Sequence, residues 1–400
     1  MSTEPAPFSR IDYRTRFPAL DGIRALAVTL VFAAHYGGGG TRGGIVLRAM
    51  NAFRKQGVIG VDIFFVLSGF LITGILFDTR NDSEFFKRFF ARRSLRIFPV
   101  VYLLFAVLLL LTPIVHYEWK WRQLSFLVYL GNIFGNMDFS IYLVNSTAHP
   151  TADAALSHLW SLCVEEQFYL LFPLLVWWVR DRVKLLWISG GLCVLALMLR
   201  TAMVLIATPA ICERWIPRTL PFRLDDLLMG AALALLLRGP AANRVQRSMK
   251  WILLAGLIPF LVLCKLSDGI YGAWGMTIGY TAVALAATGM IGCTLRTGSV
   301  LYRIFHLRPA RILGKYSYGF YVWHLVWAQA WLAVLKFMIA RLHSVTLAGL
   351  VTLPFMFAVS FLCARLSYDL FEVRFLKWKR NFEYDSELTS HTTAFVADGR

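Results

Sequence analysis

Three separate signs mark this chain as an all-α, polytopic membrane protein of about ten transmembrane helices. Of its 400 residues, 58% are hydrophobic and only 16% are charged, a balance that soluble domains do not keep. Apolar runs recur at or near the roughly 18 residues that a bilayer-spanning helix needs. Lys and Arg gather in alternate connecting segments, as the positive-inside rule requires of a multi-pass chain. The formal charge of +18 is therefore a statement of topology, not of affinity for nucleic acid.

Runs and breakers place the spans near 20–36, 58–78, 97–115, 161–179, 185–207, 223–238, 251–267, 271–293, 312–340 and 345–370. With the N-terminus inside, the cytoplasmic pieces hold 24 Lys and Arg and the external pieces hold 9. The stretch LSFLVYLGNIFG, 124–135, is too short to cross and is expected to re-enter or lie at the interface. A full crossing there would move the basic turn RDRVK, 180–184, to the outside together with every later basic loop.

The expected organisation is a cytoplasmic segment 1–19, a membrane-embedded domain 20–372 and a polar, partly disordered cytoplasmic tail 373–400. Both termini then face the cytoplasm of a cell membrane. The first 19 residues lack the apolar core of a signal peptide, so the first span is expected to stay in the mature chain. The six cysteines are scattered, mostly in apolar runs, with no spacing for a disulfide framework or a metal site. No metal and no bound cofactor is expected.

Ionisable residues inside spans are expensive, and they carry the chemistry of such a chain. The first span, LDGIRALAVTLVFAAHY, contains Asp21, Arg24 and His35. Arg24 and His35 are eleven residues apart, about 16 Å along a helix and only about 20° around it. Alone, Arg24 could snorkel to headgroups and His35 could sit at the interface; their common face favours a joint role. The second span, GVDIFFVLSGFLITG, opens with Asp62 at the depth of His35, where a carboxylate can fix an imidazole tautomer. Its Ser68-Gly69 pair reads as small residues that let helices approach.

The basic, aromatic stretch FFKRFFARRSLRIFP holds Arg93 and Arg96 three apart, on one helical face. They either anchor the chain at the membrane surface or form a guanidinium fork for a phosphate-bearing ligand. In SHLWSLCVEEQFYLLFPLL, His158 and Glu165 are seven apart on one side, and Glu166 faces Tyr169 at i+3. Cys163, in the same motif, has an apolar setting without a basic neighbour and is not a nucleophile. PFRLDDLLMGAALALLL sets Arg223, Asp225 and Asp226 at the external mouth of a span as an ion-pair cluster. LGKYSYGFYVWHL supplies Tyr316, Ser317 and His324, the last near mid-bilayer, where an imidazole needs a partner.

Taken in order, R-x10-H, GVDIFFVLSGFLIT, the R-x2-R of Arg93 and Arg96, HLWSLCVEEQFYLLFP, FRLDDLLMG and LGKYSYGFYVWHL resemble the integral-membrane acyltransferase family 3 from about residue 19 to 370. The resemblance implies an O-acyltransferase of sugars, lipid-linked glycans or macrolides, with cytoplasmic acyl-CoA, in the first place acetyl-CoA, as co-substrate. It also implies that Arg24 and His35 match the family's essential pair, Arg93 and Arg96 its donor-binding pair, and Glu165 and Glu166 its acidic motif. Many members carry an extracytoplasmic hydrolase-like domain for which these 400 residues leave no room, which leaves smaller acceptors open.

The expected mechanism joins two half-sites. Arginines hold the phosphates of coenzyme A, and His35, oriented by Asp62 or Glu165, takes the proton of the acceptor hydroxyl. An imidazole suits that task because it titrates near neutrality. The competing reading is a transporter or exporter of small glycosides or acylated metabolites, which would also bury charges at mid-membrane.

Overall fold

A computed structural model describes residues 17–36, 55–115, 119–135, 156–267 and 269–384. The long helices are α1 (Ala19–Tyr36), α2 (Ile59–Asp78), α3 (Phe85–Val115), α4 (Trp160–Val179), α5 (Arg182–Ile206) and α6 (Leu220–Leu236). They continue with α7 (Ala242–Leu266), α8 (Tyr280–Thr294), α9 (Arg308–Trp323), α10 (Ala328–Leu342) and α11 (Val345–Ser367). No strand occurs among the described residues. Residues 1–16, most of the predicted loops 37–57 and 116–160, and the tail after 384 lie outside the described residues.

Among the described residues, eight helices are long and apolar enough to cross a membrane, and nine when α9 and α10 are taken as one bent span. The chain is a multi-pass membrane protein. α6, with 17 residues, is about 25 Å long, short of a hydrocarbon core of about 30 Å. It nevertheless packs lengthwise against α2 and α5; the sequence reading of ten spans counts it as the tenth.

Burial follows composition. α2 is apolar on every side and is accordingly the central helix, packed against α1, α4, α6 and α8. Its contact with α6 is close enough to require glycine. A Cβ on Gly69 would lie 1.8 Å from the Leu227 carbonyl oxygen, and one on Gly230 would lie 1.9 Å from that of Val66. α5 and α7 stand at the periphery and turn apolar side chains outward, among them Trp187, Leu205, Trp251 and Ile258. Such surface is stable only against lipid.

Ion pairs fix which helix ends lie together. Arg238 grips Asp78 with two bonds of 2.7 Å, and Arg182 Nη1 donates to the Leu235 carbonyl at 3.5 Å. The basic turn 180–184 therefore lies at the same end of the bundle as the 79–84 connection. α3 leaves that end and α4 returns to it, so 119–135 does not cross. That segment forms two short turns, Trp121–Val128 and Gly131–Phe134. It is tied to α4 by Gln167, whose amide donates to Asn132 Oδ1 (2.7 Å) and to the Tyr129 carbonyl (3.1 Å).

Three boundaries differ from the sequence reading. The stretch 85–96, expected as a loop, is the first three turns of α3, because its arginines lie along a continuous helix rather than ending one. The expected span 312–340 is broken, with its halves bent by 62° between Trp327 and Ala330, just after a 3₁₀ turn, His324–Trp327. α11 runs on past 372 through a wide turn, Tyr368–Glu372, into Val373–Trp378 and Lys379–Phe382. Arg92 Nη1 holds this extension by donating to the carbonyls of Lys379 and Phe382, both at 3.2 Å.

Candidate active site

Three cavities follow one another along the bundle axis. The inner one, about 300 Å³, is lined by Asp21, Arg24, Arg96, Lys315, Tyr318 and Glu372. The central one, about 270 Å³, shares Arg24 and Arg96 with it and adds Arg93, Ser68, Glu165 and Tyr169. The outer one, about 320 Å³, shares Val61 with the central cavity and contains His35, Asp62, His158, Arg223 and Tyr280. α1 runs beside all three, with Arg24 facing the first two and His35 the third. The shared helical face read from the sequence is thus the wall of this series.

At the inner end, cationic groups dominate. Arg24 is bonded to Asp21 one turn earlier. Among the described residues neither Arg93 nor Arg96 is paired with a carboxylate, and Arg96 stands exposed where the inner and central cavities meet. Two unneutralised guanidiniums beside a third is an arrangement suited to an anionic ligand with several oxygens. Lys315 adds a fourth cationic group at the rim, its ammonium 4.7 Å from the Tyr368 ring centroid.

In the central cavity the Tyr169 hydroxyl is shared. It bonds Ser68 Oγ and donates to Glu165 Oε2 at 3.2 Å, while the Arg93 guanidinium lies 5.2 Å from the Tyr169 ring centroid. Tyr169 therefore pairs with Glu165 at i+4, not with Glu166 at i+3. Glu166 lines none of the three cavities, and one of its carboxylate oxygens is buried without a partner among the described residues. Ser68, read as a packing residue, does sit beside the close α2–α6 contact but also faces the cavity. Ser317 lines the cavity too, and its hydroxyl donates to the Gly314 carbonyl at 2.9 Å. Tyr316 is packed away from all three cavities against Phe361 and Tyr368.

The outer cavity holds the histidines. His35 is exposed in its lining, and its Nδ1 lies 2.9 Å from the Val31 carbonyl and 3.2 Å from His324 Nε2. His158 completes a cluster, its ring centroid 4.9 Å from that of His324. The carboxylates expected to orient His35 are engaged elsewhere: Glu165 with Tyr169, and Asp62 with Arg223 at 2.9 Å. Arg223 also reaches Asp226 at 3.1 Å and lies 4.0 Å from the Tyr280 ring centroid. Asp225 belongs to a different pair, a two-bonded contact with buried Arg200 at 2.6 Å, closed by the Thr281 hydroxyl at 2.8 Å. The expected Arg223–Asp225–Asp226 cluster is thus two separate ion pairs, because adjacent aspartates on α6 point to opposite neighbours.

Among the described residues, no group of three or more His, Cys, Asp or Glu side chains is set to hold a metal ion. One ring nitrogen of each of the three clustered histidines faces a backbone carbonyl: Val31 for His35, Val322 for His158 and Tyr321 for His324. Each of these nitrogens carries the proton of a neutral ring, and the other nitrogen keeps the lone pair.

A family model described as an acyltransferase domain matches residues 17–365. The chain belongs to acyltransferase family 3. Curated relatives within reach of this family member include the peptidoglycan O-acetyltransferase OatA of Listeria monocytogenes, 34% identical over 78% of this chain and 49% of the relative. The O-acetyltransferase OatA of Staphylococcus aureus is 30% identical over 79% of this chain and 52% of its own length. The putative peptidoglycan O-acetyltransferase YrhL of Bacillus subtilis is 30% identical over 79% and 49%. The chain spans about half the length of these relatives. No solved structure matches it.

Several groups of this candidate site escape a reading of the sequence. Tyr36 was hidden beside the more conspicuous His35, yet its hydroxyl donates to the His324 carbonyl. Tyr321 donates to the His158 carbonyl at 2.8 Å and touches Ser161 at 2.5 Å, which makes it the brace between α4 and α9. Arg200 stands alone in an apolar run, and that isolation was the available signal that it needs a buried partner.

Proposed function

We propose that this chain is a membrane O-acyltransferase that carries an acetyl group from acetyl-CoA at its arginine end to a saccharide hydroxyl at its histidine end. One observation carries the reading: the three cavities share residues in series, from Arg24, Arg93 and Arg96 to His35. The arginines bind the phosphates and the pantetheine arm extends through the central cavity, bringing the thioester toward His35. The acceptor hydroxyl attacks the thioester carbon as His35 takes its proton. The C–O bond forms, the C–S bond breaks, and the coenzyme A thiolate leaves and recovers that proton from His35. A general base so placed contributes about 10²–10⁴-fold.

The arginine end faces the cytoplasm of a cell membrane in this proposal, where coenzyme A is available, and the histidine end faces outward. The relatives' names supply the acceptor class, a peptidoglycan-type glycan or a fragment of one. The test uses purified protein in proteoliposomes, with acetyl-CoA on one side and a peptidoglycan oligosaccharide on the other. An acetylated oligosaccharide found by mass spectrometry, dependent on acetyl-CoA, is the expected result. Movement of the saccharide across the bilayer without covalent change would instead make the chain a carrier.

A further inference from the structure

The group that orients His35 is still to be assigned, since neither Asp62 nor Glu165 bonds to it. The hydrogen-bond pattern around the histidines leaves only one consistent placement of protons. A backbone carbonyl can only accept, so a ring nitrogen facing one must carry hydrogen. His324 Nδ1 lies 2.6 Å from the Tyr321 carbonyl oxygen and is therefore N–H. Neutral His324 then has an unprotonated Nε2, an acceptor. His35 Nδ1, 2.9 Å from the Val31 carbonyl, is likewise N–H, and it faces His324 Nε2 at 3.2 Å. Both neighbours of His35 Nδ1 are acceptors, which leaves His35 Nε2 as the bare nitrogen.

We infer that His324 is the positioning residue for His35, its Nε2 sharing the Nδ1–H with the Val31 carbonyl and so orienting the ring with Nε2 free to take a proton from the acceptor. The inference rests on the acyltransferase reading above for its catalytic meaning, but the proton placement stands on geometry alone. His324 is well suited to the task. It is fully buried, and its backbone is fixed by the Tyr36 hydroxyl, from the residue next to His35, which donates to the His324 carbonyl. His324 opens the 3₁₀ turn His324–Trp327, and the 62° bend follows directly, between Trp327 and Ala330. A regular helix would bond the His324 carbonyl four residues on; here it receives the tyrosine. When His35 becomes an imidazolium during the reaction, its Nδ1–H remains pointed at a neutral acceptor that disperses the charge, the service a carboxylate performs in other His-based sites. A neutral acceptor stabilises the cation less than a carboxylate does, which keeps the proton easy to return to the leaving thiolate.

The experiment compares wild type, His324→Phe and His324→Gln in proteoliposomes, with histidine ¹⁵N shifts read on the same samples. His324→Phe keeps bulk but offers no acceptor, whereas the Gln amide oxygen can stand near the place of Nε2. Expected are a fall in kcat of about 10²-fold or more for His324→Phe, KM values for donor and acceptor within about twofold of wild type, and recovery of most of kcat in His324→Gln. A packing role would not distinguish the two variants in that order. The His35 signal, assigned by its loss in His35→Ala, should report Nδ1–H in wild type and in both variants, because the Val31 carbonyl still accepts from it, while the His324 signal in wild type should report Nδ1–H with a bare Nε2. Equal kcat in Phe and Gln variants, or an Nε2–H His35 in wild type, overturns the inference. Should His324→Phe fail to insert, the wild-type His324 tautomer decides: a bare, hydrogen-bonded Nε2 supports the inference and an Nε2–H overturns it. A wild type that transfers no acetyl group sinks the acyltransferase reading instead, while the tautomer result still judges His324.

Discussion

His35→Ala is expected to insert, to bind acetyl-CoA, and to lose acetyl transfer by about 10²–10⁴-fold, the worth of a positioned general base. Measured by turnover alongside equilibrium binding of coenzyme A, wild-type turnover in this variant would remove His35 from the mechanism. Arg93→Gln/Arg96→Gln should act on the other half-site. The two arginines share the central cavity with Arg24 and have no carboxylate partner among the described residues, so their loss should raise the donor KM by at least about tenfold and the acceptor KM little. An unchanged donor KM returns them to surface anchors. At this scale the sequence was generous with single groups and silent about pairs. Arg24 and His35 share a face because helix periodicity places them there, and that is local information. His324 reaches His35 across 289 positions of chain, and Arg223 rather than His35 takes Asp62. Nothing in the spacing of either residue specifies those choices, because each depends on how α6 and α9 dock against α1 and α2.

The elements were legible to the extent that lipid dictates them. Apolar runs gave the helices, and α2, apolar all round, went to the centre. The bend within 312–340 was not legible, since 324–330 holds no proline or glycine; the turn that precedes it is held by a tertiary bond from Tyr36 and a local one from the His324 ring to the Tyr321 carbonyl. Nor did the sequence separate Asp225 from Asp226. The structure ties Asp225 to Arg200 and Thr281, linking α5, α6 and α8 away from the three cavities. Asp225→Ala should therefore destabilise the protein by about 3–5 kcal/mol, since it strands a buried guanidinium. The double replacement Arg200→Met/Asp225→Leu should recover a large part of the loss and retain acetyl transfer. Thermal unfolding in detergent and turnover of the refolded or surviving fraction read the two effects separately. A double variant as unstable as Asp225→Ala would show that the pair does more than neutralise itself.

Across the whole molecule, the proposed reaction requires its two ends to face opposite compartments. The Arg238–Asp78 pair and the Arg182 contact to Leu235 put the 79–84 connection, the turn 180–184 and the α6–α7 connection at one end. The short helix Pro209–Trp215, next to the outer cavity through Glu213, is at the other. The excess of 24 Lys and Arg against 9 predicts that the first end is cytoplasmic. Single cysteines at Ser83, Asp181, Asn243 and Thr297, all exposed positions, in a background without native cysteines, should resist an impermeant thiol reagent in intact cells and react once the membrane is opened. A cysteine at Ala210 should react in intact cells. Asp181 carries the most weight because it follows the one stretch, 124–135, whose crossing was ever in question. If Asp181 labels in intact cells along with Ser83, the whole bundle is inverted, the arginine cavity opens away from the coenzyme A pool, and acetyl-CoA must give way to a donor supplied from outside. If Asp181 labels while Ser83 does not, the packing of α3 against α4 is itself wrong, and the series of cavities from Arg24 to His35 goes with it.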